Sequence, residues 1–164
     1  MSPEIIGECG RQGFEVLPVN SIPDFLYTRS GRYGAVFMID LLEHLTKAEA
    51  FEALLAVRQS LRPGGHVIVQ VPNMQSPFAA ANLHWDITHE VGYTEFSMRQ
   101  LCGAAGFDRV DLVPYDYPPQ GLYHVRRVLR AGLYVLWQAA LVIDQWNRGK
   151  IFTPNLIARA TRTA

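Results

Sequence analysis

A largely parallel α/β sheet is the fold this sequence predicts, on three observations. Residues 35–39 are continuously apolar and residues 66–71 nearly so, as suits strands covered on both faces. The stretches between strand candidates carry helical periodicity with capping signals at their starts. Proline and glycine punctuate the junctions at Pro63-Gly64-Gly65, Pro72 and Gly106. Strand and helix therefore alternate, as the crossovers of a parallel sheet require.

The elements follow in order. Ser2-Pro3-Glu4 opens a helix: Ser2 caps, Pro3 suits the first position and Glu4 complements the positive dipole end. Gly13 ends it. Residues 14–17 are a short strand candidate, 24–28 a short helix, 30–34 a turn and 35–39 a strand. Thr46-Lys47-Ala48-Glu49 is a capping box, and Phe51, Leu54, Leu55 and Leu61 continue the helical pattern. Pro63-Gly64-Gly65 stops that helix as a tight turn, and no phosphate loop is read there. Strand 66–71 is closed by Pro72. Residues 73–96 form a loop rich in small and aromatic side chains. Ser97-Met98-Arg99-Gln100 reads as a second capping box, with its helix ending at Gly106. A strand covers 109–113, and Pro118-Pro119-Gln120-Gly121 is a break. A helix is expected from Tyr123 to about Arg148. Val125, Leu129, Leu136, Ala140 and Ile143 fall on one side of it, Arg127, Arg130, Gln138, Gln145 and Arg148 on the other. A last strand covers 156–160.

Composition narrows the function. The chain of 164 residues fits one domain, 1–164, and 49% hydrophobic with 18% charged residues is too apolar for disorder. Basic and acidic residues number 15 each, which leaves no electrostatic footprint for nucleic acid. Cys9 and Cys102 form no metal-type pair and are expected as buried thiols in a reducing compartment. The longest apolar run, 131–143, is interrupted by Gln138 and is too short to span a bilayer. No basic, then apolar leader opens the chain, and a cytoplasmic location is expected. The long helix is expected to pack on the sheet in preference to a membrane surface.

Several motifs, taken in sequence order, resemble class I S-adenosylmethionine-dependent methyltransferases that act on small molecules or sugars. Residues 33–45, ending in Asp40-Leu41-Leu42-Glu43-His44-Leu45, look like the family's fourth strand and its Leu-Glu-His loop. Leu61-Arg62-Pro63-Gly64-Gly65 followed by His66-Val67-Ile68-Val69 looks like its turn and fifth strand. Asp86-Ile87-Thr88-His89-Glu90, with Tyr93-Thr94 and Ala105-Gly106-Phe107, looks like a block of its carbohydrate-modifying members. The resemblance implies a partial Rossmann-like sheet, mostly parallel with an antiparallel last strand, plus an inserted helix over 121–149. In the family order 3-2-1-4-5-7-6, the chain would hold strands three to seven.

The departure is as specific. The family's cofactor loop is a Gly-x-Gly turn, and no Gly-x-Gly occurs here. The acidic residue that holds the cofactor's ribose would precede Met1. The chain is thus expected to be truncated at its N-terminus and, alone, neither to fold stably nor to bind the cofactor usefully. Two functions follow: methyl transfer from S-adenosylmethionine to an oxygen of a small-molecule or carbohydrate acceptor, or a non-catalytic remnant or interaction module.

Site residues rest on position. Ligands of open parallel sheets bind beyond the carboxyl ends of strands. There the resemblance places Asp40, Glu43 and His44 toward the cofactor, with Glu43 also anchoring its turn. Asn20 stands where the family often bonds the adenine amino group. His84, Asp86, His89 and Glu90 form the densest polar cluster, either a structural network or a substrate face. His84, Trp85 and Asp86 are the substrate candidates, and Trp85, Tyr93 and Phe96 either stack on a ring or cover the core. A hydroxyl must lose its proton as it attacks, which suits histidine; His89 is the first candidate base and His44 the second. No metal is expected, because the His and carboxylate spacing matches no firm metal motif.

Overall fold

The computed structural model describes residues 3–115, 121–145 and 149–163. Its elements are α1 Pro3–Arg11, α2 Ile22–Tyr27, β1 Tyr33–Ile39, a 3-10 turn Leu42–His44, α3 Lys47–Ser60, β2 Leu61–Pro72, α4 Ala79–Leu83, α5 Glu95–Ala104, β3 Arg109–Tyr115, α6 Tyr123–Gln145 and β4 Asn155–Thr161. Ser2, the break at Pro118 and the expected helix end at Arg148 lie outside the described residues.

The four strands form one sheet in the order β1-β2-β4-β3. β1 runs parallel to β2, with Val36 beside Val67 and Met38 beside Val69. β4 runs antiparallel to β2 and to β3, with Ala158 between Val69 and Leu112. Three strands thus share a direction and the last is reversed, the 4-5-7-6 portion of the expected order.

Local sequence explains the frame. Thr46 Oγ1 accepts the Glu49 amide at 3.3 Å and the Glu49 carboxylate accepts the Thr46 amide at 2.9 Å, so the expected capping box starts α3. α3 then lays Ala50, Ala53, Leu54 and Val57 against Val67, Val69 and Val71, all buried. Its open carbonyl end receives the Arg162 guanidinium, which donates to Arg58, Gln59 and Leu61 at 3.1, 3.2 and 2.7 Å. Near the start of β2, where the register with β1 shifts between Leu61 and His66, a Cβ on Gly65 would lie 2.8 Å from the Arg62 carbonyl oxygen. Glycine is there for backbone approach, but Pro63-Gly64-Gly65 does not stop the helix as expected: α3 ends at Ser60 with extended Leu61 as its cap, and the three residues belong to β2.

Several expectations are corrected. Residues 14–17 are not a strand; among the described residues no neighbour supplies a ladder, and Phe14 and Leu17 are 64% and 49% exposed. β1 is covered on one face only: Met38 is buried while Phe37 and Ile39 are 65% and 49% exposed. The second capping box is centred on Thr94, not Ser97. Thr94 is extended and Ser97 reaches back to its amide at 2.8 Å, so α5 starts three residues earlier than read. Cys102 is buried, but Cys9 is only half-buried on α1.

The largest correction concerns α6. Leu129, Leu136 and Ile143, expected to pack on protein, are 69%, 71% and 83% exposed. The half-buried stripe is Arg130, Tyr134, Trp137, Gln138 and Leu141. Trp137 Nε1 donates to the Gln75 carbonyl at 3.0 Å, and the Tyr134 ring meets Phe152 at 5.9 Å. Aromatic anchors with a polar handle decide which face turns inward, and they seat the helix on the loop after β2.

Candidate functional site

Two segments leave the carboxyl ends of β1 and β2 and close on each other. Asp40 follows β1 directly with φ +47°, a left-handed conformation uncommon for a residue with a Cβ. Its amide donates to the Gln70 carbonyl at 3.1 Å, and Gln70 Nε2 donates to its carboxylate at 3.1 and 3.3 Å. The 3-10 turn then buries Leu42 and Glu43. The Glu43 carbonyl accepts the amides of Glu90 and Val91 at 2.7 and 3.1 Å, and the Tyr93 hydroxyl donates to the Leu42 carbonyl at 3.2 Å. The loop after β2 thus clasps the Leu-Glu-His turn through that turn's own backbone.

This clasp brings four polar side chains together. Asp86 Oδ1 accepts the Thr88 amide and the Thr88 hydroxyl, each at 2.8 Å. His44 Nδ1 lies 2.8 Å from Thr88 Oγ1. With its own proton given to Asp86, the Thr88 oxygen accepts, so His44 carries its proton on Nδ1. His89 Nδ1 lies 3.1 Å from the Leu83 carbonyl, which can only accept, so His89 is also protonated there. Each ring is left with a lone pair on Nε2. The two rings stand edge to face with centroids 4.8 Å apart.

Charge follows from these partners. The Thr88 amide, then its hydroxyl, hold the Asp86 carboxyl below the usual carboxylate range. Glu43 is 2% exposed, and burial, with the Asp40 charge adding to it, pushes its carboxyl up. Among the described residues, no hydrogen-bond partner reaches Glu43 Oε2.

Asp40, Glu43, His44, Trp85, Asp86 and His89 line one cleft of about 490 Å³, a size usual for small-molecule sites. The structure therefore gathers most of the sequence-derived candidates. Asn20 is not among them; it lines a separate cavity with Ile22, Leu45 and Ala53. His84 is exposed at the end of α4 and outside the cleft lining. Phe96 is exposed on α5, and Tyr93 is buried as cover. Thr88, Gln70, Asn82 and Asn155 were missed. For Thr88 a signal existed: Asp86-x-Thr88 is the spacing of an Asx turn, which turns a threonine hydroxyl toward its aspartate.

No family model and no curated protein matches the sequence. Solved structures do. A S-adenosylmethionine-dependent methyltransferase from Archaeoglobus fulgidus aligns over 98% of this chain and 72% of its own, with TM-score 0.68 and 17% identity. One from Thermotoga maritima aligns over 98% and 70%, with TM-score 0.63 and 13% identity. The Burkholderia thailandensis 1,6-didemethyltoxoflavin-N1-methyltransferase, solved with S-adenosylhomocysteine, aligns over 100% and 58%, with TM-score 0.54 and 16% identity. The chain has the fold of S-adenosylmethionine-dependent methyltransferases.

Proposed function

We propose that this protein transfers a methyl group from S-adenosylmethionine to a hydroxyl oxygen of a small-molecule or carbohydrate acceptor, in the cleft between the Leu-Glu-His turn and the loop after β2. The observation that carries the reading is the Asp86–Thr88–His44 relay at the carboxyl ends of a methyltransferase-type sheet.

The donor set fits the positive and hydrogen-bond-donating parts of the cofactor. Asp40 and Glu43 offer acceptors at the cleft wall, and the left-handed backbone at Asp40 is the kind of strain that gathers at ligand sites. The cofactor supplies an electrophilic methyl group on a sulfonium. The chain's own residues do the rest. Trp85 and Asp86 bound the acceptor side. His44 takes the hydroxyl proton at Nε2, and the ionised Asp86 stabilises the resulting imidazolium through Thr88. That backing puts His44 ahead of His89, whose ring leans on a neutral carbonyl. His89 then orients the acceptor oxygen beside the base.

The test is release of S-adenosylhomocysteine across a panel of sugar and phenolic acceptors, beside calorimetric titration of the cofactor. His44→Ala should lower turnover about 10²-fold, the usual scale of general-base help. His89→Ala should lower turnover while leaving cofactor affinity nearly unchanged. Turnover unaltered in both variants, or no release with any acceptor, overturns the reading.

A further inference from the structure

Glu43, His44 and His89 each offer one ligand atom, and the three atoms lie within 4.8 Å of one another. We propose that this trio binds a divalent first-row transition-metal ion in the cleft, through two imidazole nitrogens and one carboxylate oxygen. Three independent features converge on it. The first is the Glu43 carboxyl, 2% exposed, whose Oε2 lacks a hydrogen-bond partner among the described residues. A carboxylate oxygen buried in this way is costly unless it is paired or coordinated.

The second feature is the state of the rings. His44 and His89 both have Nδ1 engaged, by Thr88 and by the Leu83 carbonyl, and Thr88 is backed in turn by Asp86. Metal-bound imidazoles are held in this manner: the outer hydrogen bond fixes ring and tautomer and leaves the other nitrogen's lone pair for the ion. The third is spacing. Bonds of about 2.0–2.2 Å place two donors roughly 3–4 Å apart, and the three ligand atoms here lie within 4.8 Å of one another. Two nitrogens and one oxygen suit zinc, iron, cobalt or manganese and disfavour magnesium and calcium, which prefer oxygen alone. The sequence spacing does not reveal the trio, because Glu43 and His44 are adjacent while His89 arrives only through the clasp of the loop after β2.

Three protein ligands leave the ion open positions for the acceptor, and this consequence rests on the methyl-transfer reading. With His44 Nε2 held by the ion, the base role given to His44 above would pass to solvent: the ion would lower the pKa of an acceptor hydroxyl bound to it, and water would take the proton. The oxygen then forms its bond to the methyl carbon as the carbon–sulfur bond breaks, and S-adenosylhomocysteine departs.

Metal binding is testable without turnover. Tag-free protein stripped with a chelator is titrated with Zn²⁺, Co²⁺ and Mg²⁺ by calorimetry, with thermal unfolding and the Co²⁺ visible spectrum as second readouts. One Zn²⁺ or Co²⁺ per chain, a raised Tm and weak Mg²⁺ binding are expected. His44→Gln and His89→Gln should each weaken binding at least about tenfold. Thr88→Val, which touches no ligand atom, should weaken it by about 10–100-fold. No binding of Zn²⁺ or Co²⁺, or binding untouched in all three variants, overturns the proposal. Methyl transfer that persists after stripping overturns the ion's role and spares the function; metal binding without methyl transfer does the reverse.

Discussion

His44 Nδ1 and Thr88 Oγ1 meet at 2.8 Å across 44 residues of chain, and that bond decides which nitrogen of His44 carries the proton. Thr88→Val keeps the shape of the side chain and deletes the relay. A hydrogen bond to a charged group is worth about 1.5–3 kcal/mol, so kcat should fall by about 10- to 100-fold. Thr88→Ser should restore most of it. A merely structural Thr88 would leave the pH profile of kcat in place. Loss of the relay should shift the limb that reports the base, and an unshifted limb in Thr88→Val removes Thr88 from the mechanism.

Asn73 ties the end of β2 to the segment before β4. Its Nδ2 donates to the Ile151 and Thr153 carbonyls at 2.8 and 2.9 Å, and its Oδ1 accepts the Gln75 amide at 2.9 Å. The side chain is fully buried. Asn73→Ala would strand three buried backbone groups, at roughly 1–3 kcal/mol each, so unfolding free energy should drop by about 3 kcal/mol or more. Urea denaturation measures it; a loss under about 1 kcal/mol would mean that water replaces the amide at no penalty.

What the sequence made legible was local. Thr46 and Glu49 stand three residues apart and specify their own cap. The apolar runs of β1 and β2 needed only their neighbours. Thr94 escaped because its partner at the third helical position is Ser97, not the Glu or Gln of the usual pattern. The cleft residues were named from a motif, but their hydrogen bonds join positions 44 and 88, a separation that periodicity does not encode. For α6 the wheel found a real apolar face and assigned it the wrong side. Hydrophobicity alone ranks Leu129 and Leu136 as core, whereas Trp137 and Tyr134 bring both ring surface and a polar handle to the contact.

The same contact predicts an unequal mutational response along α6. Leu129→Gln and Leu136→Gln alter exposed positions and should shift unfolding by no more than about 0.5 kcal/mol. Trp137→Phe removes the bond to the Gln75 carbonyl and should cost about 1 kcal/mol. Thermal scans of the three variants compare them directly. Equal losses would mean that the outward face is covered in solution.

Burial pushes the Cys102 thiol up to about 12 from an ordinary 9.0, and burial, then the Glu43 charge, push the Tyr93 phenol up to about 12 from 10.0. Both groups hold their protons longer in the folded chain than in the unfolded one. Their contribution is intact below pH 9.0 for the thiol and 10.0 for the phenol, and is lost as pH climbs toward 12. Unfolding free energy should therefore decline through that alkaline window, by up to about 1.4 kcal/mol per pH unit for each group. Tyr93→Phe should flatten the slope above pH 10 by one group. At pH 8, Cys9 should alkylate in the native protein and Cys102 only after urea is added; rapid modification of both thiols would contradict the burial.

β1 supplies the last expectation. Its seven residues, Tyr33–Ile39, contain no charge and no proline, and among the described residues β2 alone pairs with it. One edge of its backbone therefore faces outward unpaired. Phe37 and Ile39 add an apolar surface on the uncovered face, at 65% and 49% exposure. Natural edges are blunted by charge, proline or a bulge; this one carries neither charge nor proline, and its register irregularity lies at Tyr33/Ala35, before Phe37 and Ile39. Identical segments of two chains can pair edge to edge, bury both phenylalanines and satisfy both ladders. Self-association that rises with concentration is expected, and a lysine at position 37 should oppose it by placing like charges opposite each other across the new pair. Phe37→Lys should leave the far-ultraviolet circular dichroism unchanged, since the side chain it replaces is largely exposed. Sedimentation velocity over a concentration series should show the wild type shifting to faster species and Phe37→Lys remaining monomeric. If the variant associates as the wild type does, the contact lies elsewhere, and the outward face of α6 becomes the surface to mutate next.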